Sequence, residues 1–153
     1  MTATDDLIRE LERTRDETIR YFDLADTDLA RPYAPGKWSV RFLLNHLTDA
    51  EIVLNERLRR AISEPGTVIW FFDQDHWAKA LDYRTRSLET LKPVFTALRA
   101  SMIDLVRRHY ESDGAREFVH SRSGLNTIKS EFDHVASHNE GHLAQIRKAL
   151  ETT

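Results

Sequence analysis

Ser39-Val40-Arg41-Phe42-Leu43-Leu44-Asn45-His46-Leu47-Thr48-Asp49-Ala50 is the stretch on which the fold turns. Leu43, Leu47 and Ala50 recur at helical spacing, Val53, Leu54 and Leu58 continue the stripe, and His46 falls on it. Ser39 suits an N-cap, because its side-chain oxygen can accept from a backbone N–H left free at a helix start. The pattern predicts a helix from Ser39 to about Ile62, ended by Pro65-Gly66.

Most of the remaining chain carries the same period. A first helix over Asp5 to Ala25 would bury Leu7, Leu11, Thr14, Thr18 and Phe22, with the charge series from Arg9 to Glu17 as a solvated face. A third over Thr85 to Tyr110 contains Pro93, which lacks a backbone donor and is expected to kink or interrupt it. A last helix over Thr127 to Leu150, capped by Asn126, would bury Ile128, Phe132, Val135, His138, His142, Ile146 and Ala149. Val68 to Tyr83 reads as an extended connection with a short helix starting near Asp73 or Asp75, and Ser121 to Asn126 as a loop. Almost nothing alternates with the period of a strand. The expected class is all-α: a single domain over residues 1–153, a four-helix bundle with a long crossover connection and a short extra helix.

The 153 residues suffice for one core, which should remove roughly 70% of the unfolded surface from water. A net charge of −3 with both signs interspersed gives no basic field, so no nucleic-acid partner is expected. No apolar run reaches membrane length, and the N-terminal segment lacks the apolar core of a signal peptide, so a cytoplasmic protein is expected. The chain has no cysteine. Disulfides, thiolate ligands and a cysteine nucleophile are excluded, and any thiol chemistry must use a small-molecule thiol.

Seven histidines remain as candidate ligands. His134, His138 and His142 recur every four residues, each step drifting about 40° around an ideal helix. An adjacent pair can face one ion, whereas all three would splay. Spacing leaves both pairs open, and the Val135, Ile146, Ala149 stripe favours His138 and His142, with His134 as a supporting or packed ring. His46 on a facing helix could supply a third imidazole. Three such rings form a divalent-metal site with open positions. The alternative is core histidines satisfied by hydrogen bonds, which three together make harder, since each buried ring nitrogen needs a partner. His76, His109 and His120 lie in or beside loops or at a helix end and read as structural. Glu140 does not complete an HExxH pattern, because Asn139 follows His138 and Glu140 lies about 200° around the helix from it.

These residues resemble a family. Pro35-Gly36-Lys37-Trp38-Ser39 through Glu51 is similar to the signature segment of the DinB-like superfamily, in particular its YfiT-like branch of metal-dependent hydrolases. His138-Asn139-Glu140-Gly141-His142 resembles the second signature, and Phe72 to Ala78 and Val119-His120 resemble segments of that branch. The resemblance implies a DinB-type bundle, often homodimeric, with metal held by His46, His138 and His142. It implies zinc or nickel as the ion. It extends to relatives that are transferases or an isomerase using a low-molecular-weight thiol. Asn45 stands where several relatives carry another histidine.

The expected function is therefore a divalent-metal-dependent enzyme acting on a small molecule. It would be a hydrolase using water acidified by the ion, or a thiol S-transferase using the ion to hold a thiolate. The rival readings are a non-catalytic metal- or ligand-binding module and a purely structural helical dimer. Asp49, one turn from His46, and Gln145, three residues beyond His142, are candidates to orient ligands or substrate. A surface role for Asp49 is the competing reading. Trp38, Trp70 and Trp77 are read as packing residues, Trp38 as a hydrophobic staple.

Overall fold

The computed structural model describes residues 1–151. Four long helices dominate: α1 (Ala3–Tyr21), α3 (Val40–Ser63), α5 (Leu88–His109) and α6 (Ile128–Glu151), with short helices α2 (Asp26–Leu29) and α4 (Gln74–Ala80). The expected cap at Ser39 is present, and the short helix starts from its cap Asp73, one of the two positions expected. Ser39 Oγ accepts from Phe42 N, and Asp73 Oδ1 from His76 N, which opens α4. Pro93 does not interrupt α5. It lies on the exposed side, as does Glu89, so water can reach the carbonyl that loses its helical donor.

The core is in two parts. One holds Leu7, Leu11, Leu54, Leu58, Met102, Val106, Phe132 and Val135; the other holds Phe22, Leu43, Leu47, Leu91, Phe95, Leu143 and Ile146. Along α1 and α6 the chain passes from the first part to the second, and along α3 and α5 from the second to the first. Hence α3 and α5 run parallel, antiparallel to α1 and α6. Each of α1 and α3 packs mainly on α5 and α6. Parallel neighbours cannot be joined by a tight turn, which is why residues 64–87 form a long crossover.

Between the two apolar parts lies a buried polar layer. The Arg99 guanidinium, 1% exposed, donates from Nε and Nη2 to the two oxygens of Glu51, both at 2.9 Å. Its other bonds go to Leu11 O at 3.1 Å, Thr14 Oγ1 at 2.9 Å and Asn139 Oδ1 at 2.7 Å. Asn139 Nδ2 donates to Thr18 Oγ1 at 3.2 Å. All four long helices meet there, and every guanidinium donor is used.

A small three-stranded sheet is added to the expected helical bundle. β1 (Val68–Ile69) pairs parallel with β2 (Glu117–His120), which pairs antiparallel with β3 (Gly124–Thr127). These strands are two to four residues long, too short for alternation to be visible in sequence. The expected loop over Ser121 to Asn126 is the tip of this hairpin plus the first three residues of β3. Gly124, at φ +81°, takes the left-handed conformation the turn requires. The cap of α6 is Thr127 rather than Asn126: Thr127 Oγ1 accepts from Ser130 N at 3.1 Å, and Asn126 Nδ2 instead donates within the hairpin to Ser123 Oγ.

Candidate metal centre

His46 projects from the second turn of α3, where it is 1% exposed, toward His138 and His142, one turn apart on α6. The His46 and His138 Nε2 atoms lie 3.0 Å apart, and those of His142 and His138 3.1 Å apart. Among the described residues these three form the one group of potential ligands whose donor atoms all lie within 4.8 Å of one another. An ion bonded to nitrogen at about 2.0–2.1 Å holds neighbouring ligand nitrogens roughly 3 Å apart, so the donor set fits a single divalent cation.

The surroundings keep these rings neutral. Burial, and then the neighbouring His142, push His46 down to about 3. Burial, and then His142 and His46, push His138 down to about 2. Burial lowers His142 as well, against a hydrogen bond to Gln145 that favours its charged form. Three unprotonated nitrogens facing one another have no mutual hydrogen-bond solution, because one proton serves at most one contact. A cation serves all of them.

Gln145 lies against His142. Its Oε1 accepts from His142 Nδ1 at 2.8 Å, which places the proton on Nδ1 and the lone pair on Nε2. Asp49 is neither a surface residue nor a partner of His46. It is 1% exposed and its Oδ2 accepts from Tyr83 Oη at 2.6 Å and Arg86 Nη1 at 2.7 Å. Asn45 Nδ2 donates to Arg41 O and Tyr83 O. Asp49 and Asn45 thus dock the end of the crossover on α3, and burial together with Asp49 raises the Tyr83 phenol far above its usual range. Among the described residues His46 Nδ1 is buried without a partner, and its ring is held instead by aromatics. Phe72 stacks on it at 5.7 Å with a 4° interplanar angle, and Trp38 lies 5.3 Å away. Trp38 therefore walls the site rather than stapling the helix start alone. Trp77 braces Phe72 edge-on at 4.7 Å, while Trp70 is 75% exposed and packs little.

The other histidines stand apart from the cluster. His134 is exposed, its ring 5.5 Å from that of His138. His76 and His109 lie beside Asp73 and Asp113, at 3.2 and 2.8 Å. Glu140 is held by Arg13 and Arg147, so the charged face of α1 is partly an interhelical ion-pair seam. A cleft of about 510 Å³ opens beside the cluster, lined by His46 and His138, by Phe71 and Phe72 of the crossover, and by the β2–β3 hairpin. The hairpin's His120 and Arg122, and the Arg57–Glu131 pair at 3.3 Å in the same cleft, were not visible as site residues in the sequence.

The family model of the DinB superfamily matches residues 10–146. The chain belongs to the DinB superfamily. Two proteins of Oceanobacillus iheyensis, each named "Putative metal-dependent hydrolase", are 30% and 32% identical to it, covering 88% and 91% of this chain and 76% and 79% of theirs. Among solved structures, YfiT from Bacillus subtilis, called "a probable metal-dependent hydrolase with an unusual four-helix bundle topology", superposes with a TM-score of 0.88. It is 22% identical, and the match covers 97% of this chain and 87% of that one. The mycothiol-dependent maleylpyruvate isomerase shares the fold at a TM-score of 0.71 and 12% identity, over 95% of this chain and 61% of its own. The bundle is thus the DinB-type fold. Among the described residues no helix is long and apolar enough to cross a membrane.

Proposed function

We propose that this DinB-superfamily chain is a metal-dependent hydrolase of a small molecule, its divalent ion held by Nε2 of His46, His138 and His142. The observation that carries the reading is the pair of Nε2–Nε2 separations, 3.0 and 3.1 Å, between imidazoles that burial keeps neutral. The relatives named as metal-dependent hydrolases support the reaction class. When bound, such an ion supplies Lewis acidity and makes a coordinated water or thiol far more acidic. The chain's own groups do the rest. Gln145 fixes the tautomer of His142. Trp38 and Phe72 hold the His46 ring and exclude water from that side. The cleft admits substrate past His138. With no cysteine in the chain, thiol transfer is the second reading only if a low-molecular-weight thiol enters the same cleft.

The test is metal analysis of protein prepared without a nickel column and repleted with zinc or nickel, followed by ester hydrolysis and by conjugation of an electrophile with several small thiols. Stoichiometric ion and metal-dependent ester hydrolysis, both lost in His46→Ala, are expected. Thiol-dependent turnover without hydrolysis would replace hydrolase by transferase. Bound ion without any turnover would favour a binding module, and absence of stoichiometric ion overturns the site.

A further inference from the structure

The cleft wall formed by the β2–β3 hairpin is chemically lopsided. The hairpin is fastened to the crossover by Ser121 N donating to Ile69 O at 2.8 Å and Phe71 N donating to Ser121 Oγ at 2.9 Å. His120 Nδ1 accepts from the backbone N–H groups of Arg122 and Ser123, both at 3.2 Å. That leaves the proton of the neutral ring on Nε2, as a donor to the cleft. Burial, and then the charge of Arg57, lower His120, which keeps this tautomer neutral.

Arg122 adds the charge. Its guanidinium lies 3.8 Å over the Phe71 ring, and among the described residues it meets no carboxylate. Arg57, the other arginine of the cleft, is matched by Glu131 at 3.3 Å. The lining therefore keeps one uncompensated positive charge in a chain whose net charge is −3. An unpaired guanidinium beside a fixed N–H donor, in a partly enclosed cleft, suits the oxygens of an anion.

We infer that the hairpin wall is an anion subsite, at which Arg122 and His120 Nε2–H bind a carboxylate or phosphoryl group of the substrate whose reacting bond faces the three histidines. Only the second half of that statement rests on the metal-enzyme reading. The anion contact is made by groups that hold no ion, and it is testable without metal.

The experiment is a heteronuclear NMR titration of metal-free protein at neutral pH with benzoate, phenylphosphonate and uncharged benzamide. Saturable shifts of the hairpin amides and the His120 ring are expected with an anion, and benzamide should bind about tenfold more weakly. The anion that binds more tightly names the head group. Arg122→Gln, at an exposed position, should weaken the anion about tenfold and leave benzamide unchanged. His120→Asn keeps an oxygen acceptor for the two backbone N–H groups and removes the Nε2 donor, so it should weaken the anion while hairpin amide dispersion persists. Benzamide binding as well as benzoate, anion binding indifferent to Arg122→Gln, or no hairpin shifts with either anion overturns the subsite. Failure of metal binding would leave a positive benzoate result standing, so the two readings fail separately.

Discussion

Arg99→Met removes the charge at the centre of the bundle while keeping most of the side-chain volume. Arg99 is 1% exposed, and its five hydrogen bonds reach Glu51 twice, Leu11, Thr14 and Asn139. The substitution leaves the Glu51 carboxylate, 2% exposed, without its counter-ion, and strands three neutral acceptors. Removing one partner of a buried pair destabilises by about 3–5 kcal/mol. For a chain of this size each kcal/mol shifts Tm by about 2–4 °C, so a fall of roughly 6–20 °C is expected. The double variant Arg99→Met, Glu51→Leu removes both charges and should recover about half of that loss, because an apolar replacement of a buried pair is often tolerated. Thermal and urea unfolding of the metal-free single and double variants provide the assay. A single variant as stable as the parent, or a double variant less stable than the single, would refute the claim that a desolvated ion pair holds the four helices together.

Two further outcomes concern the histidines. The folded pKa values of His46 and His138, about 3 and about 2, lie below the ordinary imidazole value near 6.5, and His142 is lowered too, so the folded chain binds fewer protons than the unfolded one. Stability of metal-free protein should therefore be full above about pH 6.5 and fall below it by about 1.4 kcal/mol per pH unit for each ring, continuing toward about pH 3 for His46. Urea midpoints that stay level from about pH 7.5 to about pH 5 would sink this. Gln145→Ala frees the His142 ring and should weaken zinc binding by about 10–100-fold without unfolding the bundle. Calorimetry with an unchanged dissociation constant would remove Gln145 from the site.

The bundle was legible because its helices are amphipathic and its caps are local. Ser39 and Asp73 act within three residues of themselves, so their roles can be read without tertiary information. The histidine pair was legible for the same reason, since one helical turn brings His138 and His142 together. His46 joined them through its place on an apolar stripe. The polar layer was not legible. Thr14 and Thr18 fall on the buried face of α1, but nothing adjacent in sequence marks Arg99 as buried, since its carboxylate partner Glu51 lies 48 residues upstream. Asp49 misled for a similar reason: its partners Tyr83 and Arg86 arrive on the crossover, whose path no periodicity encodes. His120 and Arg122 sat in what looked like an ordinary loop, and only the pairing of β1 with β2 brings that loop to the histidines.

β3 ends at Thr127 and α6 begins at Ile128, with no intervening linker. One inserted residue at that junction would turn the following helix by about 100° and swing His138 and His142 away from His46. Residues added at the exposed tip, Ser121 to Ser123, would instead leave the helical phase untouched. Variants that diversify that tip could change which molecules are accepted while the imidazole register is inherited intact.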